Sequence, residues 1–391
     1  MSAKPFVIDI ADEKLADLDR RLANVNWAAD PNNDDWRYGA NVDYLRELVE
    51  YWRNDYDWRE REKVIGAHPH YRANVDGLPI HFIHERGVGP SPVPLILTHG
   101  WPWTFWDFQR VIGPLVDPAA HGGDPVDAFD VVVPSLPGYA FSTPIARKGI
   151  YWATTADLWV ELMTQVLGYE GFFAHGGDWG ALVTMQLGHK YKDRVRGIHL
   201  TNAFPMPAFD ADRPWAMGDI SGRFAEPEER GQVLAFERKF ASHVAVHMLD
   251  PQSLAIALHD SPVGLAAWIV ERRRAWGDCR GDVESRFSKQ HLIDTLMLYW
   301  LTDSFTSSVR FYAEAADATW EPAHRRAPTV ETPTGVSLFR HDMPPGAGSD
   351  WMDSFFDLRM KRVRESGGHF AAYEEPEAVV DDIREVFRPL R

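Results

Sequence analysis

The first chemical feature of this chain is an acid ringed by small residues, in the stretch Gly171-Phe172-Phe173-Ala174-His175-Gly176-Gly177-Asp178-Trp179-Gly180-Ala181. An apolar run enters a small-residue turn, and Ala181-Leu182-Val183-Thr184-Met185-Gln186-Leu187 beyond it suits a helix. A strand, a sharp turn and a helix form a nucleophile elbow, which lifts the apical side chain above the sheet edge. A serine at the apex would need to lose a proton before attacking. Asp178 is already ionised near neutral pH and is able to strike an electrophilic sp3 carbon directly, leaving an alkyl ester on the enzyme. A histidine base is then free to activate water for the second half-reaction. Asp after two turn glycines is also a common helix N-cap. The chemical reading therefore depends on partners that occur in the right order.

Those partners are present. Thr98-His99-Gly100-Trp101-Pro102 ends the first strand of the core. In an elbow hydrolase the loop at this place supplies one backbone N–H to the oxyanion hole, and the residue after the nucleophile supplies the other. The candidates are the N–H groups of Trp101 and Trp179, aimed at the carboxyl of Asp178. Pro102 is placed to follow a cis bond, since cis peptides are nearly confined to proline. His99, Pro102 and Trp103 are expected around the substrate pocket, with Trp103 narrowing it. Ser366-Gly367-Gly368-His369-Phe370 sets a histidine in a glycine-rich loop after the last strand. The order nucleophile, second acid, histidine then calls for an acid between. Asp342, directly after a strand in Phe339-Arg340-His341-Asp342, is the candidate, with Asp350, Asp353 and Asp357 less well placed.

The elements that must position these groups follow a strand-and-crossover rhythm from residue 91. Pro94–Thr98, Asp130–Pro134, the elbow strand, Val195–Leu200, Gly335–Phe339 and Arg362–Arg364 read as buried strands, and Pro376–Phe387 as a closing amphipathic helix. Strands separated by helices imply a mostly parallel sheet. Glu229–Met248, Pro251–Leu258, Gly264–Trp276 and Lys289–Ala315 are helical by composition, and form an insertion of the kind that caps a site. Residues 1–90 stand apart: Ile10–Leu22 and Val42–Trp52 are amphipathic, and Asp76-Gly77 between alternating runs signals a hairpin. The expected organisation is an N-terminal arm (1–90), a first core segment (91–205), a helical cap (206–320) and a second core segment (321–391). The arm is expected to wrap the core and bound the active site.

Composition narrows the function classes. Forty-one basic and 57 acidic residues give a net charge of −16, which argues against nucleic acid or an anionic membrane as partner. The single cysteine, Cys279, rules out an intramolecular disulfide and suits a reducing, cytoplasmic setting. Residues 1–20 hold no long apolar stretch, so neither a signal peptide nor a membrane anchor is expected. No metal or other cofactor is expected: His68-Pro69-His70 is a lone histidine pair without a supporting cluster. Oligomeric state is not readable, a homodimer being one possibility.

Taken together, the chain resembles the epoxide hydrolases of the α/β-hydrolase fold, in the microsomal-type branch with an N-terminal arm. The similarity runs end to end: Trp36, Tyr44–Leu48 and Tyr56–Trp58 in the arm, His99–Pro102, Gly176–Gly180, Asp260–Ala266 in the cap, Met297–Trp300, Arg310–Tyr312, Pro333–Gly335 and Gly367–Phe370. The resemblance implies an epoxide held under the cap and opened to a vicinal diol, with Asp178 attacking a ring carbon while a cap residue protonates the ring oxygen. Tyr312 matches one of the family's two ring-opening tyrosines. The second position falls on His243, for no tyrosine occurs between Tyr191 and Tyr299. A neutral imidazole donates one hydrogen bond, so His243 replaces the phenol, or it and His247 are cap residues only and Tyr312 acts alone. The rival reactions are haloalkane or haloacid dehalogenation, which uses the same Asp, His and acid without Tyr312, and non-catalytic ligand binding.

Overall fold

The computed structural model describes residues 2–209, 213–216, 226–343 and 350–391. Its centre is a nine-stranded sheet in the order β1-β2-β3-β5-β4-β6-β7-β8-β9. The strands are β1 (Lys4–Pro5), β2 (His70–Val75), β3 (Leu78–Glu85), β4 (Val93–Thr98), β5 (Phe129–Pro134), β6 (Phe172–Gly176), β7 (Val195–Leu200), β8 (Val330–Phe339) and β9 (Phe356–Arg364). From β5 to β9 the pairing is parallel, and β1, β2 and β3 add on antiparallel. β5 and β6 are buried along their whole length, as strands covered on both faces must be, and their sequences are correspondingly apolar runs rather than alternations. Crossover helices cover the faces: α4 (Gln109–Val116), α5 (Trp152–Glu161), α6 (Trp179–Lys190) and, at the end of the chain, α14 (Pro376–Phe387). The α/β-hydrolase architecture expected from the sequence is present.

The hairpin of β2 and β3 forms where Asp76-Gly77 was read, both residues at positive φ (45° and 81°), and it pairs through β3 onto β5. The sheet thus begins inside the arm, and a division at residue 90 cuts through one continuous layer. The rest of the arm is helical: α1 (Asp12–Ala23), α2 (Val42–Asn54) and α3 (Trp58–Ile65). Asn41 caps α2 by accepting the Tyr44 N–H, and its inward stripe is Leu45, Leu48, Val49 and Trp52. α3 was not read from the sequence; Asp57 caps it by accepting from the N–H groups of Arg59 and Glu60.

The cap comprises α7 (Pro227–Leu249), α8 (Pro251–Asp260), α9 (Pro262–Trp276), α10 (Lys289–Trp300) and α11 (Phe305–Ala316), with residues 210–212 and 217–225 outside the described ones. The helix expected over 289–315 is two. Asp303 adopts φ 56°, and the Thr302 and Ser304 hydroxyls bond to each other (2.8 Å) while Thr302 also donates to the Leu298 carbonyl (2.6 Å). Short polar side chains there compete with the helical ladder and end it. No single described helix is long and apolar enough to cross a membrane. The pair α8 and α9, bent by 119°, passes by length and composition alone, and α9 has much of its surface buried in the cap.

The arm holds the cap. Asp294 on α10 takes a two-pronged ion pair from Arg61 (2.8 Å at Nη2) and hydrogen bonds from Tyr56 (3.0 Å) and the core indole of Trp106 (3.3 Å). Lys14 donates to the Leu301 carbonyl (2.9 Å), and Arg21 to that of Asp260 (2.6 Å). These contacts position the cap rather than line the site. The short helices α12 (Trp351–Phe355) and α13 (Ala371–Glu374) complete the chain order.

Candidate active site

Asp178 stands where β6 ends and α6 begins, with φ 55° and ψ −127°. A non-glycine residue in this region stores strain, and such strain concentrates at functional sites. The glycines around it are required by close packing rather than by conformation. Gly176 and Gly180 keep negative φ, but a Cβ on Gly180 would lie 1.9 Å from the Thr98 carbonyl oxygen, and one on Gly176 2.1 Å from that of Gly180. They are small because backbone passes against backbone; the strained angle belongs to the aspartate. Gly100 is needed for the same reason, since its Cβ would meet the Asp178 side chain at 2.3 Å.

Two groups hold the carboxylate, the Trp101 N–H and His369. The Trp101 N–H donates to Oδ1 (2.8 Å), and the Trp101–Pro102 bond after it is cis, as expected. Trp179 is the first residue of α6, its ring edge-on to Tyr312 (4.6 Å) and Phe311 (5.3 Å). His369 Nε2 lies 3.3 Å from Asp178 Oδ2, at ion-pair distance rather than in an aligned hydrogen bond. Its Nδ1 bonds to Asp342 Oδ1 (2.9 Å), so of the four acids considered Asp342 is the one joined to the histidine. Burial by itself would lower the His369 pKa, but Asp342 and Asp178 outweigh it and raise it to about 10.

One member of this group went unread. Asn202, just past β7, accepts the Asp178 N–H on Oδ1 (2.9 Å) and donates through Nδ2 to Asp342 Oδ2 (3.1 Å). It braces both ends of the acid–histidine–acid array. The available signal was a polar side chain at the carboxyl end of a parallel strand, where such sheets carry their sites.

Above Asp178 lies the cap. Tyr312 on α11 and His243 on α7 are both buried and meet at 3.2 Å, hydroxyl oxygen to Nε2. Burial, reinforced by the charge of Asp178, keeps the Tyr312 phenol protonated far above its ordinary range, and burial, reinforced by His247, holds His243 neutral. His243 stacks flat on Trp101 (5.2 Å, 8°), which puts it directly over the loop that holds the Asp178 carboxylate. His247 accepts a hydrogen bond from Trp268 (3.1 Å) and packs edge-on against Trp101 and Tyr312.

The remaining expected residues divide. His99 does not face the pocket: it is fully buried, its Nδ1–H donates to the Gly100 carbonyl (2.9 Å) and its Nε2 accepts the Leu136 N–H (3.0 Å). Both nitrogens are spent on main chain, burial lowers its pKa to about 4, and its task is to shape the loop. Pro102 contributes its carbonyl to Arg273 of the cap (3.0 Å). The Trp103 ring lies edge-on to His369 (5.6 Å) and close over Gly177, and its carbonyl accepts from Tyr299 (2.9 Å).

A mostly parallel sheet with an elbow whose apex is a carboxylate, a His–Asp pair facing it and a helical cap with buried donors define an α/β-hydrolase with an acid at the elbow apex. Comparison with known proteins narrows this. Residues 3–108 match the family model "Epoxide hydrolase N terminus" and residues 93–234 match "alpha/beta hydrolase fold". The chain is 40% identical over 391 residues to a "Putative epoxide hydrolase" of Stigmatella aurantiaca, covering 99% of this chain and 85% of the relative. It is 33% identical over 402 residues to "Epoxide hydrolase 1" of Oryctolagus cuniculus, covering 98% and 88%. Among solved structures, the Aspergillus niger epoxide hydrolase superposes with a TM-score of 0.82 at 27% identity, covering 100% of this chain and 97% of that one. The juvenile hormone epoxide hydrolase of the silkworm Bombyx mori gives 0.81 at 28%, covering 100% and 94%. The chain belongs to the epoxide hydrolases, in their microsomal-type branch.

Proposed function

We propose that the protein converts an epoxide to a vicinal diol in two half-reactions, with Asp178 as nucleophile, Tyr312 and His243 as ring-opening donors, and His369 with Asp342 as the hydrolytic base. The Trp101 N–H holds Oδ1, leaving Oδ2 to attack a ring carbon. As the new C–O bond forms and the ring C–O bond breaks, the Tyr312 hydroxyl delivers its proton to the ring oxygen. A neutral His243 supports this by donating Nε2–H, either to the same oxygen or to the phenolate it creates.

The observation that carries the reading is the position of His369 between two carboxylates. In the resting enzyme both anions hold its proton, so it is no base. Esterification neutralises Asp178 and removes one of them; the proton passes to the Tyr312 phenolate, and a neutral imidazole remains. The base is thus armed only when there is an ester to hydrolyse. It takes a proton from water as the hydroxide adds to Asp178 Cγ, and the oxyanion forms on the oxygen facing the N–H groups of Trp101 and Trp179. On collapse the second water proton leaves with the diol alkoxide, and the enzyme returns to Asp178 anionic and His369 protonated. The net charge of −16 and the single buried cysteine suit a cytoplasmic enzyme acting on a small uncharged substrate.

A single turnover on styrene oxide in oxygen-18 water tests the route. The diol should carry no label, since its new oxygen comes from Asp178 and the label stays in the enzyme. Labelled diol would mean direct attack by water and would sink the covalent mechanism.

A further inference from the structure

The histidine loop does not stand on the core alone. The His369 N–H donates to the Trp276 carbonyl at the end of α9 (3.1 Å), and the Gly367 N–H to Asp278 Oδ2 (3.3 Å). Gly368 packs so closely there that a Cβ would lie 2.6 Å from the Trp276 carbonyl oxygen. Glu374 on α13 closes the seam. It is 7% exposed, its Oε1 accepts the Phe370 N–H (3.0 Å) and its Oε2 accepts the Asp278 N–H (2.7 Å). One carboxylate thus joins the residue after His369 to the cap.

An acid is required at this place for a stereochemical reason. The two donors converge from two segments of the chain, and a carboxylate offers two acceptor oxygens where an amide offers one, its other end being a donor that would face an N–H. Burial, with Asp342 adding its charge, pushes the Glu374 pKa up to about 7 against the pull of both N–H bonds and Arg286, so keeping it ionised costs the fold. Arg286 itself is engaged elsewhere, on Asp278 (2.7 Å), Glu375 (2.9 Å) and Ser366 (2.9 Å).

We propose that Glu374 is a positioning residue for the hydrolytic half-reaction, fixing the His369 loop to the cap so that the imidazole meets the water attacking the Asp178 ester. This rests on the reading of His369 as the base. Ring opening uses Asp178, Tyr312 and His243, none of which Glu374 touches.

The test separates the two half-reactions in Glu374→Gln by rapid-quench single turnover on styrene oxide, with the ester followed by intact mass. Ester hydrolysis should slow by roughly 10- to 100-fold, the scale of a small misplacement of a catalytic group, while alkylation changes less than about threefold, so that ester accumulates in the steady state. A fold that is merely loosened lowers the amplitude of both phases and leaves the ratio of their rate constants unchanged, and that outcome overturns the proposal. Should Glu374→Gln fail to fold, Glu374→Asp, which reaches only one of the two N–H groups, and Asp278→Ala, which releases Gly367, must each shift the same ratio; an unchanged ratio overturns it. The ester trapped by His369→Gln serves as control: if none forms there, the mechanism itself fails, whereas ester in His369→Gln with an unshifted ratio in the Glu374 variants rejects Glu374 alone.

Discussion

Arg273→Met should cost this enzyme ~3–5 kcal/mol of stability, the range found when one partner of a buried ion pair is removed. Arg273 and Asp107 are both fully buried; the guanidinium donates to Asp107 Oδ1 (2.6 Å) and Oδ2 (3.0 Å), and to the Pro102 carbonyl (3.0 Å). It also lies 4.0 Å over the Phe370 ring. Methionine keeps much of the volume, so the loss is chiefly that of charge compensation. Asp107 would be left with the Thr104 N–H (2.9 Å) and His291, whose Nε2 is 3.5 Å away. At a urea slope of about 3 kcal/mol/M the midpoint falls by on the order of 1 M. Arg273→Met/Asp107→Asn should recover most of this, because Asn still accepts from Thr104 but carries no charge. His291 gives the loss a pH dependence. In the intact pair burial lowers the His291 pKa against the pull of Asp107; without Arg273 its folded pKa should rise, so protonation at low pH supplies a countercharge and the single variant should suffer less at about pH 5.5 than at about pH 8.5. A single-variant cost below about 1 kcal/mol, or a double variant no more stable than the single, would refute the reasoning.

Asp178→Ala should abolish turnover, and His369→Gln should accumulate an alkyl-enzyme visible by intact mass; full activity in either contradicts the mechanism. Tyr312→Phe and His243→Phe should each slow alkylation, by roughly 10²- to 10⁴-fold where a proton donor is lost, and unchanged single-turnover kinetics in His243→Phe would return that residue to packing. The pKa of His369, raised from 6.5 to about 10, means that its ion pairs stabilise the fold fully below about pH 6.5 and that this contribution is lost as pH rises through about 10. Asp178→Asn removes one of the two anions, so its stability should fall less over that interval in urea titrations at each pH; parallel curves for the two proteins would show that Asp178 does not hold the proton.

The candidate groups that the structure brings together were legible because each sits at a place with strong local rules. Asp178 lies at an elbow, Trp101 beside a proline at a strand end, and His369 in a glycine-rich loop, and their order along the chain suggested the proposed roles. Asp342 was separable from Asp350, Asp353 and Asp357 by its place at the end of β8. What escaped was set by tertiary packing. His99 has the same sequence neighbourhood as Trp101, yet the backbone of Leu136, remote in sequence, turns it away from the pocket. Asn202 follows β7 without any motif, and its role appears only when Asp178 and Asp342 arrive on either side of it. The elbow glycines were recognised by type, but the reason for them, close passage of backbone past Thr98 and Gly180, is a distance that no sequence pattern states.

The cap also acquires a role that its helical composition did not announce. Arg273 and Tyr299 bind the carbonyls of Pro102 and Trp103 in the loop that holds the Asp178 carboxylate, and Trp276 and Asp278 bind the loop of His369. The arm fixes the cap in turn through Asp294, Leu301 and Asp260. The core loops that hold Asp178 and His369 are therefore located by a chain of contacts running arm to cap to loop, through which the arm should contribute to catalysis by rigidity. Breaking the outermost link tests this: Arg61→Met, which strips the two-pronged guanidinium from buried Asp294, should lower kcat as well as stability even though Arg61 contacts no residue of the site. If stability falls while kcat measured well below the unfolding transition stays at the wild-type value, the arm holds the cap on but does not set the geometry beneath it.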